Sequence, residues 1–235
     1  MKIAITGEKG FVGTHLRLYI EKIENYELVE LGKDYLQSLD KLSDVDWLIH
    51  GASVHRNPNP EMVYVENMRI HNELVSFLLR RNIVLNIVFL STIQENDLSP
   101  YGKSKMDGKR ILLDYCLNSG SKFISYALPN LFGAYAIPNK YSFVATFCYN
   151  IIQNIPCSYN KNLVNLYYVI DAVKNILLFD DKVIFDSKQI SVEEVYLKLK
   201  TFNEKYFIEK EIPDFNNQFE LNLFNTLFSY VDYKL

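Results

Sequence analysis

Three glycines within seven residues, Gly7, Gly10 and Gly13, stand between a short apolar run, Ile3–Ile5, and an amphipathic segment, Val12–Lys22. The chain holds only 9 glycines, so this crowding marks a place where backbone must go where a side chain would obstruct it. In a strand–turn–helix setting each glycine has a task. Gly7 makes the tight turn, Gly10 lets backbone approach a pyrophosphate, and Gly13 permits close helix–strand packing. The helix then offers its free N–H groups and positive dipole end to the phosphates, with Phe11 and Val12 in its first turn as further cofactor contacts.

Beyond this unit the chain alternates apolar strand-sized runs with longer amphipathic ones, the pattern of an α/β fold with a parallel sheet and helices on both faces. Glu27–Leu31, Trp47–His50, Ile83–Leu90 and Phe123–Leu128 read as strands, and Met62–Arg80 and Tyr101–Leu117 as long helices. A short helix, Leu36–Leu42, fits between the second and third strands. After Pro129 the pattern loosens: helices are expected at Phe143–Ile152, Ala172–Phe179 and Val192–Phe202, and strands at Leu166–Val169 and Val183–Phe185. The aromatic-rich stretch from Phe215 to Leu235 is expected to pack. With 235 residues, one domain is expected, with 1–130 serving mostly the dinucleotide and 131–235 mostly the substrate.

Composition narrows the partners. A net charge of −3 gives no basic surplus for nucleic acid. The apolar runs are too short for a signal peptide or membrane span, so no membrane partner is expected. Cys116, Cys148 and Cys157 are an odd set without paired spacing, which suits a reducing cytoplasm. His15, His50, His55 and His71 lack metal-site spacing, and no metal is expected. His50, at a strand end before the cofactor loop, is within reach of a ligand there but reads first as a satisfied structural residue. Asn67 reads equally as a helix-surface residue or as a hydrogen-bond partner of the sheet near the site.

Tyr101-Gly-Lys-Ser-Lys105 sets a phenol and an ammonium four residues apart on one helix face. The ammonium is expected to favour phenolate and bring the Tyr101 pKa down from about 10 towards neutrality. Tyr101 then serves as general acid for a carbonyl oxygen that receives hydride. Leu90-Ser91-Thr92 ends the preceding strand, where a hydroxyl can bond the same oxygen.

These strings, together with Leu48–Ser53 (LIHGAS) and Pro129–Gly133 (PNLFG), resemble the extended branch of the short-chain dehydrogenase/reductase superfamily. LSTIQ, PYGKSK and LPNLFGAYAIPN are similar to the reductase domain of the CapF-type capsular-polysaccharide enzymes. The resemblance implies NADPH-dependent reduction of the C4 ketone of a nucleotide-linked, UDP-type, 4-keto-6-deoxy amino sugar. It implies Tyr101 as proton donor and Lys105 as its partner and ribose contact. Thr92 orients the carbonyl, with Ser91 as the fallback and a substrate contact. Gly51, Ala52 and Leu90 line the cofactor, and Pro129 and Asn130 lie beside nicotinamide and substrate. Ala127 stands where the family carries Arg, and Lys161 is the lone cation where Arg is usual. Lys cannot grip a diphosphate bidentately.

The resemblance also implies a homodimer paired through the two long helices. CapF-type chains continue into a metal-binding cupin epimerase; here that module would be a separately encoded partner. At the second strand end, Lys33 suits the 2′-phosphate of NADPH whereas Asp34 suits NAD. Two alternatives use the same features: a nucleotide-sugar 4-epimerase with tightly held NAD, and a non-catalytic dinucleotide-binding subunit.

Overall fold

A computed structural model describes residues 1–32, 35–140 and 142–233, which form two compact units. The first comprises Met1–Leu128 and Val173–Val183, the second Pro129–Ala172 and Ile184–Leu235.

In the first unit, five strands form one parallel sheet: β1 (Lys2–Thr6), β2 (Glu27–Glu30), β3 (Trp47–His50), β4 (Asn86–Thr92) and β5 (Phe123–Leu128). Their spatial order is β2-β1-β3-β4-β5, so the chain reverses its direction of travel across the sheet between β1 and β3. Such a reversal leaves a crevice beyond the carboxyl ends of those two strands, where ligands of open α/β sheets bind. Thr6 of β1 pairs in register with His50 of β3, and both strands end on this crevice. The central strands are buried on both faces. Ile3, Ala4, Leu48, Ile49, Ile87, Val88 and Phe89 are all inaccessible, which is why these strands read as continuous apolar runs rather than alternating ones.

Helices α1 (Phe11–Ile20), α2 (Pro60–Arg80) and α3 (Pro100–Ser119) accompany the sheet, and Tyr35–Asp44 forms 3₁₀ turns where a short helix was expected. Both long helices start with Pro at the first position behind a side-chain cap, Asn59 for α2 and Ser99 for α3. The buried stripe of α2 is Val63, Asn67, His71, Leu74 and Leu78, spaced by three or four residues. Two polar residues thus sit in a stripe that is otherwise core.

The second unit contains β6 (Asn130–Phe132), α4 (Phe143–Ile152), β7 (Leu163–Tyr168) and most of the remaining chain. Helix α5 (Val169–Ile176) starts in this unit and ends in the first. β8 (Lys188–Ser191) completes a sheet in which β6 and β7 are parallel and β7 and β8 antiparallel. Helix α6 (Val192–Asn203) opens with a Ser191–Glu194 capping box, continues into a π-helical turn at Glu204–Glu209, and is followed by α7 (Gln218–Phe228). The strand expected at Val183–Phe185 is absent; pairing begins at Lys188, because the partner register on β7 runs from Leu163 to Leu166. The C-terminal aromatics pack as expected: Phe202, Tyr206, Phe215, Phe224 and Phe228 form a cluster of ring contacts, and the inaccessible Tyr230 donates to the Ala136 carbonyl.

Candidate active site

Gly7 turns the chain after β1 with φ +77°, a conformation that costs a side-chain-bearing residue. A Cβ on Gly7 would lie 3.0 Å from the Ala52 nitrogen and the Gly51 carbonyl carbon, so the turn rests directly on the loop after β3. A Cβ on Gly13 would lie 2.1 Å from the Gly7 oxygen, closer than any real contact. Gly10 caps α1 with no side chain bonding its first-turn amides. The bare turn and open helix end, on the crevice between β1 and β3, fit a pyrophosphate. Phe11 and Val12 are half-buried in the first turn.

Two polar residues that the glycine spacing does not reveal, Glu8 and Thr6, hold this cradle. Glu8 is buried and its carboxylate accepts from the Leu31 and Gly32 amides at 3.3 and 3.0 Å, tying the glycine turn to the end of β2. The Thr6 hydroxyl accepts from the Gly51 and Ala52 amides at 3.2 and 3.1 Å. With both lone pairs used, it donates to His50 Nδ1 at 2.7 Å. His50 Nε2 then donates to His71 Nδ1 at 3.0 Å. His50 is inaccessible, and burial holds its pKa well below the ordinary histidine range, so it is the satisfied structural residue that was expected. Asn67 is also inaccessible. It accepts from the Val54 amide at 2.7 Å and donates to the Val54 carbonyl and the Ser104 hydroxyl, each at 3.0 Å.

Tyr101 occupies the first turn of α3, half-buried, with Lys105 one turn on. Lys105 Nζ donates to the Leu90 carbonyl at 2.9 Å and lies 4.9 Å from the centre of the Phe89 ring. The electrostatics run opposite to the expectation from spacing. Burial pushes the Tyr101 phenol up to about 12, and burial brings Lys105 down to about 7. A lysine that readily loses its charge exerts little pull on the phenol, so desolvation decides both directions.

Ser91 and Thr92 end β4 but differ in what their hydroxyls do. Ser91 is buried and donates to Glu95 Oε2 at 2.5 Å, while Glu95 pairs with Lys109 at 2.9 Å. Thr92 Oγ1 accepts from the Gln94 amide at 3.2 Å. A hydroxyl that accepts there still has its hydrogen to give, so Thr92 is the better donor to a carbonyl. Leu90 packs its side chain over Gly51, with Cδ1 3.1 Å from the place of a Gly51 Cβ.

The glycine turn, Ser91, Thr92, Tyr101 and Lys105, read from motif and spacing, and Gly51, Ala52 and Leu90, implied by the resemblance, all lie in the first unit. Pro129, Asn130 and Lys161 belong to the second. Pro129 is buried, Asn130 donates to the Asn165 carbonyl at 3.3 Å, and the exposed Lys161 lies 3.7 Å from Glu193. Lys33 lies outside the described residues. Ser53 and His55 join Tyr101 without having been singled out as site residues; the ring centres of His55 and Tyr101 are 4.8 Å apart. Among the described residues there is no cluster of metal-ligating side chains, and no helix is long and apolar enough to cross a membrane.

Residues 3–184 match the NAD dependent epimerase/dehydratase family. A Pseudomonas aeruginosa protein, UDP-2-acetamido-2,6-beta-L-arabino-hexul-4-ose reductase, is 29% identical over 202 residues, 83% of this chain and 54% of the relative. The chain thus spans about half the length of the curated relative it matches. The capsular polysaccharide assembling protein CapF of Staphylococcus aureus superposes with a TM-score of 0.84 at 28% identity, over 100% of this chain and 68% of that one. The UDP-N-acetylglucosamine 4-epimerase of Bacillus cereus shares the fold, with a TM-score of 0.76 at 20% identity over 100% of this chain and 98% of the other.

Proposed function

The chain belongs to the NAD dependent epimerase/dehydratase family, and we propose that it reduces the C4 ketone of a nucleotide-linked 4-keto-6-deoxy amino sugar. UDP is the expected nucleotide and NADPH the expected cofactor, in the biosynthesis of a capsule or O-antigen polysaccharide. The observation that carries this reading is a half-buried Tyr101 phenol that burial keeps protonated, one helical turn ahead of Lys105, in the same unit as a Thr92 hydroxyl that accepts from the Gln94 amide. The 29% identical relative, named as a 4-ulose reductase, supports the substrate class.

When bound, the nicotinamide dinucleotide supplies the hydride. The chain's own residues hold and move the proton. Gly7, Gly10 and Gly13 leave room for the pyrophosphate, and the first turn of α1 faces it with uncapped amides. Thr92 donates to the substrate carbonyl oxygen and orients it. Tyr101, kept protonated by burial, gives its hydrogen to that oxygen as negative charge develops there. Lys105, which donates to the Leu90 carbonyl, is assigned to the ribose from the family resemblance. Asn130 and Lys161 are assigned to the substrate and Pro129 to the nicotinamide side, from the family resemblance.

Incubation with NADPH and a panel of UDP- and dTDP-linked 4-keto sugars tests the reading, with nicotinamide absorbance followed and the product identified. Consumption of NADPH with the 4-keto amino sugar is expected. Activity without added cofactor, on a 4-hydroxy sugar, would instead identify a 4-epimerase with retained NAD. Lys33→Asp is expected to raise the KM for NADPH far more than that for NADH. Equal effects would remove NADPH as the preferred cofactor. A homodimer through α2 and α3 is the expected assembly, since Val65 and Leu117 stand exposed on these helices. Sedimentation of a monomer at working concentration would exclude it. The cytoplasm is the expected compartment.

A further inference from the structure

The turn after β1 carries an acid as well as its glycines. Glu8 follows Gly7, and α1 approaches its backbone closely: a Cβ on Gly13 would stand 2.7 Å from the Glu8 Cα. The Glu8 side chain crosses to the end of β2, where the residue is only 6% exposed. There two successive amides donate to its carboxylate, Leu31 to Oε2 at 3.3 Å and Gly32 to Oε1 at 3.0 Å. Gly32 bends the chain with φ +83°, and among the described residues a Cβ there would meet open space. Glycine is thus needed at 32 for conformation and not for packing. Successive amides that converge on one anion form a nest, a backbone concavity that suits phosphate as well as carboxylate. In this chain the nest already holds the chain's own anion.

The end of the second strand is where a dinucleotide-binding sheet reads the 2′ position of the adenosine ribose, an acid suiting the hydroxyl of NAD and a cation the phosphate of NADP. Here an acid reaches that place from the glycine turn and not from the strand. Glu30 and Lys41 also bring charge to this end of β2, and Lys41 donates to the Glu30 carbonyl at 2.6 Å. Both of these residues are exposed and opposite in sign, so water and salt screen them. The buried carboxylate of Glu8 acts through protein and is screened far less.

We propose that Glu8 is a specificity-determining residue whose carboxylate fills this nest and weighs against a 2′-phosphate, so that the chain binds NADH within about tenfold of NADPH. Of the reductase reading, this role rests only on the dinucleotide. Glu8 acts in two ways. The amides of Leu31 and Gly32 are committed to its carboxylate, so a 2′-phosphate has side-chain cations alone to bind it. The same carboxylate repels the charge that the phosphate adds, whereas a ribose hydroxyl brings no charge to repel.

Titration calorimetry of the full chain with NADPH and with NADH tests this without turnover. Wild type should bind the two with dissociation constants within about tenfold of each other. Glu8→Gln keeps the length of the side chain but not its charge, and Glu8→Ala empties the nest. Each should shift the ratio of dissociation constants towards NADPH by about tenfold. Inorganic phosphate should raise the Tm of Glu8→Ala more than that of wild type, because only the variant offers two free amides. A wild-type preference for NADPH beyond about 100-fold, or a ratio unmoved by the substitutions, would overturn the role of Glu8. Phosphate that stabilises Glu8→Ala and wild type equally would overturn it too. Should the emptied nest prevent folding, the ratio in Glu8→Gln decides alone. Turnover is separate: failure to reduce any 4-keto sugar would remove the reductase reading, whereas the binding ratio and the phosphate response decide the role of Glu8.

Discussion

Lys105 Nζ donates to the Leu90 carbonyl at 2.9 Å and sits 5.8 Å from the centre of the Tyr101 ring. The ammonium is therefore anchored to the end of β4 inside the protein. Its 2% exposure explains why its pKa falls to about 7.

That depression has a signature in stability. An unfolded lysine holds its proton up to about pH 10.4, whereas folded Lys105 releases it near 7. Between these values the unfolded state binds more protons, so this group makes folding more favourable as pH rises from about 7 to about 10 and adds no slope below 7. Lys105→Met should erase that component. The difference in Tm between wild type and variant should change across this window, and a constant difference would show that the lysine is not depressed.

Removal of the phenol separates chemistry from binding. Tyr101→Phe keeps the ring that packs on His55 but has no hydrogen to give. It should lower kcat by about 10²- to 10⁴-fold, while the rise in Tm on adding dinucleotide stays near the wild-type value. Near-normal turnover would assign the proton to another group.

The two hydroxyls at the end of β4 should rank by what they already bond. Ser91 has given its hydrogen to Glu95, whereas Thr92 accepts from an amide and keeps its own. Thr92→Val should cost on the order of 10²-fold in kcat, and Ser91→Ala should cost much less. The reverse ranking would move the carbonyl contact to Ser91.

The glycine turn gives a contrast between folding and binding. A Cβ on Gly13 would stand 2.1 Å from the Gly7 oxygen, whereas one on Gly10 would stand 3.1 Å from the same atom. Gly13→Ala should destabilise the protein by about 1–3 kcal/mol, as overpacking does. Gly10→Ala should melt close to wild type but lose most of the stabilisation by dinucleotide. Thermal melts with and without NADPH distinguish the two.

Asn67→Ala would strip three hydrogen bonds from a side chain with no solvent access. A loss of about 1–3 kcal/mol is expected. Unaltered stability would show that water replaces the amide.

Local spacing was enough for much of the molecule. The glycine turn between Ile5 and Phe11 follows from clustered glycines, the buried strands from continuous apolar runs, and the amphipathic helices and the one-turn separation of Tyr101 and Lys105 from a period of 3.6 residues. These features are encoded within a few residues of one another, so the parallel sheet and the pairing of Tyr101 with Lys105 are legible without a structure. The strand at Lys188–Ser191 was misplaced because its position depends on a partner, β7, rather than on its own apolar content.

What tertiary structure alone decided was who completes the site and with what charge. Thr6 reaches Gly51, Ala52 and His50 across 44 to 46 residues of chain, and Asn67 reaches Ser104 across 37, because sheet order and helix packing bring them together. No local pattern carries such a contact. The sign of the Tyr101 shift belongs here too: spacing placed an ammonium one helical turn away, but burial of both groups, which only the folded chain creates, leaves the phenol protonated and the lysine ready to lose its charge.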